Sequence, residues 1–94
     1  MAAIKLHIND NVATAIKKVE AGERVSILSN KGEIVKTVIA SGLIPQNHKV
    51  ALRPIKKNRD VIKFGEVIGK ATESIRQGEH VHIHNVASKR VRGL

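Results

Sequence analysis

The chain is predicted to be mainly β, a small barrel or clip of short strands with one short helix, and three observations predict it. The apolar residues are chiefly Val, Ile, Leu and Ala, with Phe64 the single aromatic, and branched side chains suit a pleated surface. Gly, Asn and Pro punctuate the sequence at short intervals, which suits short strands joined by turns. Gly-Glu recurs at Gly22-Glu23, Gly65-Glu66 and Gly78-Glu79, each time just before an apolar or alternating stretch. Glycine takes turn conformations other residues resist, so a strand is expected to start behind each.

Ile4, Leu6 and Ile8 alternate with Lys5 and His7 and predict a first, half-buried strand. Asn9-Asp10-Asn11 offers a helix cap, and Val12, Ala13, Ala15, Ile16 and Val19 recur at helical spacing before Gly22, so the one helix is placed at Val12 to Val19. Arg24 to Leu28 and Glu33 to Ile39 flank the turn-forming Ser29-Asn30-Lys31-Gly32 and predict a hairpin. Pro45 disfavours helix at Ile44, so His48-Lys49 should lie where a loop meets a strand from Val50 to Arg53. Pro54 to Lys57, Val61 to Phe64, Val67-Ile68 and His80 to Val86 supply the remaining extended pieces. Phe64 should be buried or half-buried.

Ninety-four residues fit one domain, taken as 1–87, with a loosely ordered basic tail over 88–94 that carries Lys89, Arg90 and Arg92. A chain this short hides only about 60% of the surface it exposes when unfolded, so the core is modest. Without cysteine there are no disulfides or thiolate ligands, and His, Asp and Glu remain as metal donors. The N-terminus lacks the apolar stretch of a signal peptide, and no run approaches the ~20 apolar residues of a membrane span, so a cytoplasmic protein is expected.

Seventeen Lys and Arg against eight Asp and Glu leave a net charge of +9, enough to attract nucleic acid, acidic lipid, small anions or an acidic partner. Much of it lies in Arg53, Lys56, Lys57, Arg59 and Lys63, which read equally well as a solvated face. A nucleic-acid module would want stacking aromatics, and these are missing. Phosphate-loop and hydrolase nucleophile signatures are absent too.

The most informative stretch is Gly78-Glu79-His80-Val81-His82-Ile83-His84-Asn85. On a strand, residues two apart share a face, so His80, His82 and His84 would form one polar row while Val81 and Ile83 face the core. Such a row could bind a metal, an anion or a proton, or be a polar strand edge that happens to carry histidine. Two imidazoles can ligate one ion, but a catalytic site wants a third ligand, and Glu79 is the one carboxylate nearby in sequence. Lys49 could hold an anion with His48 as donor or proton carrier, or the pair could be a hinge residue and a solvated lysine.

Asn9-Asp10-Asn11-Val12-Ala13, Ile44-Pro45, His48-Lys49-Val50-Ala51-Leu52, Phe64 to Ala71 and above all Gly78 to Asn85 together resemble the SAF domain of the altronate and galactarate dehydratases. The likeness spans about residues 5 to 86, and its last third is the specific part. It implies a β-clip fold and a hydro-lyase that removes the proton α to a carboxylate and expels a β leaving group. A divalent metal, iron being the expected one, would assist in the complete enzyme, with none held tightly by this chain alone.

In that family the domain either begins a long dehydratase chain or stands as a small subunit, as in the sulfolactate sulfo-lyases. The likeness therefore implies a larger catalytic subunit as partner and an acidic small molecule as substrate; self-association is left open. It assigns His82 and His84 as catalytic or metal-facing groups in a site completed by that subunit, and His48 and Lys49 as substrate contacts. Two departures stand out: Asn47 where relatives have glycine, and Asn58-Arg59 in place of Gly-Glu, the second reading as a surface change. SAF-like domains without chemistry also exist, including antifreeze proteins and assembly chaperones. The charge argues against the first and the N-terminus against the second, which leaves a basic binding module as the non-enzymatic alternative.

Overall fold

The structure is a computed structural model that describes residues 1–88. Its strands are β1 (Ala2–Ile4), β2 (Val12–Ala15), β3 (Arg24–Leu28), β4 (Ile34–Ile39), β5 (Lys49–Ala51), β6 (Asp60–Lys63), β7 (Glu66–Ala71), β8 (His80–Val81) and β9 (Val86–Ser88). A six-stranded sheet runs β4-β3-β1-β2-β5-β8 and a three-stranded sheet runs β6-β7-β9. Every pairing is antiparallel except β1 with β3. Ser88 pairs with Gly69 and so belongs to β9; the rest of the expected basic tail, 89–94, lies outside the described residues. Among the described residues there is no helix long and apolar enough to cross a membrane.

The mainly β expectation holds, but the helix at Val12 to Val19 does not. That segment is β2 followed by an isolated bridge from Val19 to Ile44. Its apolar spacing has another cause: β2 and its neighbour β5 are covered on both faces. Ala13 and Val50 enter one core cluster, with Val25, Ile27, Val38 and Ile44, while Val12 and Ala51 enter a second, with Val61, Ile75 and Val81. A strand buried on both faces reads as a continuous apolar run, which periodicity alone cannot separate from a helix. Asn9-Asp10-Asn11 accordingly caps no helix. The Asp10 carboxylate is buried and accepts from the backbone N–H groups of His7 (3.1 Å), Phe64 (3.1 Å) and Gly65 (2.8 Å).

The first strand is shorter than its alternation suggests. Leu6 and Ile8 leave β1, and Ile8 is 83% exposed at the tip of a turn. The expected hairpin is present as β3 and β4, with a register shift between Ile27 and Leu28. Phe64, expected inside, is 65% exposed. It adopts φ 59° beside Gly65 at φ 72°, two successive left-handed residues that make the tight β6–β7 turn, and Asp10 anchors both N–H groups.

One turn is built four times. In each, an apolar bridging residue (Val19, Ile44, Ile55 or Ile75) enters, and a left-handed residue sits three positions later, followed by a strand. Those left-handed residues are Gly22 (φ 85°), Asn47 (φ 68°), Asn58 (φ 73°) and Gly78 (φ 86°). The closing backbone bonds run from Glu23 N to Glu20 O, His48 N to Pro45 O, Arg59 N to Lys56 O and Glu79 N to Arg76 O, at 3.0 to 3.1 Å. A positive φ at the third position is the type II pattern, which takes Gly or Asn there. Each left-handed residue also donates its N–H to the carbonyl of a buried alanine: Ala40, Ala15, Ala71 and Ala51 respectively. Asn58 is therefore one of the four turn residues of the fold, where the sequence suggested a surface change.

Candidate functional site

Two of these turns start the strands that carry the histidines. Ile44 to His48 delivers β5, Ile75 to Glu79 delivers β8, and the two strands pair with Lys49 opposite Val81 and Val50 opposite His80. One step further along the same register, His48 faces His82. Their rings stack with centroids 4.2 Å apart. His48 Nδ1 lies 2.9 Å from His80 Nε2, so one ring donates a proton and the other accepts it, and the two cannot both be cationic in this arrangement.

The expected strand of alternating histidines is broken after Val81. Val81 is buried as expected, whereas Ile83 is 84% exposed. His82-Ile83-His84-Asn85 forms a turn closed by Asn85 N donating to His82 O at 3.0 Å. The buried Asn85 side chain holds it: Oδ1 accepts from His82 N and Nδ2 donates to His80 O, both at 2.9 Å. Each such bond adds about 1 kcal/mol, and more is lost when a buried partner is left unmade. Asn85 thus positions both rings, a role the sequence only hinted at. The same device holds His7-Ile8-Asn9-Asp10, where Asp10 Oδ2 accepts from His7 N and Ile8 projects as Ile83 does. The paired motifs His-Ile-Asn-Asp and His-Ile-His-Asn were the sequence signal for this turn.

The imidazoles converge even so, through turn and cross-strand geometry. One ring nitrogen from each of His48, His80 and His82 lies within 4.8 Å of the others. His84 is exposed and packs near His80, with centroids 5.0 Å apart, at the rim of this cluster. His7 is engaged elsewhere, its Nδ1 accepting from Asn9 N at 3.1 Å. Glu79, the carboxylate considered from sequence, is occupied: its Oε1 accepts from Arg76 N at 2.9 Å. The third imidazole comes instead from His48, distant in sequence and brought in by the β5–β8 pairing.

His80 and His82 resist protonation. Desolvation lowers His80 from 6.5 to about 4, aided by His84, His48, His82 and Lys49 in that order. His82 is lowered chiefly by desolvation, then by His48, Lys49 and His84. Lys49 is lowered by burial and by Lys63. At neutral pH His80 and His82 are held neutral and their free nitrogens carry lone pairs, the form that ligates metals. Buried His82 Nδ1 has no hydrogen-bond partner among the described residues. Three converging imidazoles, one with an unmet buried nitrogen, suit a divalent transition ion. Lys63 Nζ lies 5.8 Å from the Phe64 ring centroid, and one exposed aromatic makes no stacking series for nucleic acid.

An all-β domain of turn-linked short strands with an imidazole cluster at one sheet edge is the class of module that fold and site define. The chain belongs to the altronate/galactarate dehydratase SAF domain family, whose profile matches residues 1–89. It is 38% identical over 82 residues to the altronate dehydratase of Bacillus subtilis, covering 87% of this chain and 15% of that enzyme. Against the altronate dehydratase of Escherichia coli it is 41% identical over 85 residues, 90% of this chain and 16% of that enzyme. It is also 53% identical over 47 residues to the (2R)-sulfolactate sulfo-lyase subunit alpha of Chromohalobacter salexigens, half of each chain. The chain therefore spans a small fraction of the dehydratases it matches.

Proposed function

We propose that this chain is the SAF-domain subunit of a hydroxy-acid lyase of the altronate and galactarate dehydratase type, working with a larger catalytic polypeptide. The observation that carries the reading is the convergence of His48, His80 and His82, with the Lys49 charge among those that disfavour protonation of His80 and His82. Lys49 draws the carboxylate of an acidic substrate toward the cluster, with His48 as the neighbouring donor. In the ion-free chain the His48–His80 pair shares one proton between two rings, which an ion held by the same nitrogens would displace. His82 and His84 face the cleft that the larger polypeptide closes, His84 from the rim. A divalent ion, iron being the expected one, would supply positive charge for the negative charge that develops when the α proton leaves. His48, His80 and His82 are the residues that would hold it. A cytoplasmic enzyme of sugar-acid breakdown is the setting this implies.

A second reading, the small subunit of a sulfolactate sulfo-lyase, has its own support. The matched 47 residues are half of the Chromohalobacter subunit as they are of this chain, so that relative is itself a small polypeptide. The two readings share the first step and differ in the leaving group, water or sulfite. Mixing this chain with a dehydratase-type larger polypeptide and following altronate, galactarate and sulfolactate separates them. Turnover of at least one acid above the rate of the larger polypeptide alone is expected. No gain with any of the three would overturn the proposal.

A further inference from the structure

We propose that His48, His80 and His82 bind a divalent transition ion on this chain alone, without a ligand from any partner, and leave a coordination position open for an anion. The family resemblance assigned His82 and His84, completed by another subunit; the structure instead brings together His48, His80 and His82 from a single domain. Zinc and its neighbours sit about 2.0–2.1 Å from imidazole nitrogen, which puts tetrahedral ligands roughly 3.3 Å apart. His48 Nδ1 and His80 Nε2 are 2.9 Å apart and the three donor nitrogens lie within 4.8 Å of one another, so turning the rings to aim their lone pairs at one point, with ~1 Å of closure, would replace the shared proton with an ion. His82 Nδ1, buried and unpartnered among the described residues, would gain the partner it lacks.

The surrounding scaffold is built to keep these rings in place. Asn85 ties His82 N and His80 O to one side chain, and the β5–β8 register sets His48 against His82. Orientation of this kind is what separates a metal site from a chance group of histidines. The donor set also selects the ion. It contains nitrogen only, since the nearby Glu79 carboxylate is bonded to Arg76 N, and hard ions such as Mg²⁺ and Ca²⁺ require oxygen. Affinity should follow the order for imidazole sites, with Zn²⁺ and Co²⁺ held and Mg²⁺ not. Three ligands leave a fourth position, and Lys49, close enough to bear on both His80 and His82, favours a carboxylate or sulfonate there. That anion rests on the lyase reading; the ion site does not.

Titrating the ion-free 94-residue chain with Zn²⁺, Co²⁺ and Mg²⁺ by calorimetry, and following the imidazole ¹⁵N resonances by NMR, tests the site without any activity assay. One equivalent of Zn²⁺ or Co²⁺ should bind and Mg²⁺ should not. The ring signals of His48, His80 and His82 should shift while that of His7 stays. His48→Ala and His82→Ala should each lose at least about a hundredfold in affinity, the upper end of what losing even an outer partner costs, while His84→Ala retains binding. If either variant misfolds, the ring shifts in the native chain carry the test. Absent saturation, equal binding of Mg²⁺, or loss of the site in His84→Ala would overturn the inference. Ion binding without lyase activity would remove the lyase reading and leave this one, and lyase activity with an ion-free domain would do the reverse.

Discussion

His80 bears the greatest electrostatic burden of the cluster, packed among three other imidazoles with Lys49 nearby. Its pKa stands at about 4 in the folded chain against 6.5 for the free side chain. Between those values the unfolded chain binds the extra proton, so folding stability is at full value above about pH 6.5 and falls as pH drops toward about 4. The urea midpoint of the native chain should therefore fall more between about pH 7 and about pH 4.5 than that of His80→Gln. Equal falls in the two proteins would contradict the assigned environment. This environment was only partly legible. The spacing of His80, His82 and His84 signalled a polar row, but His48 comes from a distant strand, and the bend at Asn85 looks in sequence like the end of a strand.

At the scale of the element, the fourfold turn governs the architecture, and its legibility depended on residue type. The copies at Gly22 and Gly78 announced themselves through Gly-Glu. Those at Asn47 and Asn58 did not, because asparagine reaches the left-handed region without advertising it. Gly78 is the strictest of the four: a Cβ there would collide with the carbonyl oxygen of Ile39, and its φ is +86°. Its N–H seats on the carbonyl of Ala51, which has no exposed surface. Gly78→Ala should cost more than the ~1–2 kcal/mol of a left-handed alanine, because the clash adds to it. Ala51→Val should cost about 1–3 kcal/mol by overpacking. Asn58→Gly, which puts the most permissive residue at φ 73°, should change stability by less than about 1 kcal/mol. Chemical denaturation of the three variants checks the ordering, and a Gly78→Ala protein as stable as the native one would contradict this account of the turn. The helix expected over Val12 to Val19 failed for a related reason. Burial on both faces of β2 is a property of the assembled sheets, and the local pattern does not contain it.

Across the whole molecule, a small basic domain offers one sheet edge where three imidazoles converge, with the partly buried Lys49 on β5. The family membership explains the context of that edge but not its completeness, since the matched dehydratases carry far more chain than this domain provides. The mainly β class, the hairpin and the gathering of histidines in the Gly78 to Asn85 stretch were all readable from 94 residues. The third imidazole and the exposure of Phe64 were not, because both follow from which strands become neighbours. The most direct measurement is the turnover of organic acid by the larger polypeptide supplied with native chain, with His82→Ala or with His84→Ala, each variant first shown to bind that polypeptide as the native chain does. Loss of turnover by at least about a hundredfold in His82→Ala is expected if its ring serves acid–base or charge-stabilising chemistry, with a smaller loss in His84→Ala. Rates equal to native in both complexes would remove the imidazole cluster from the chemistry and contradict the account at its centre.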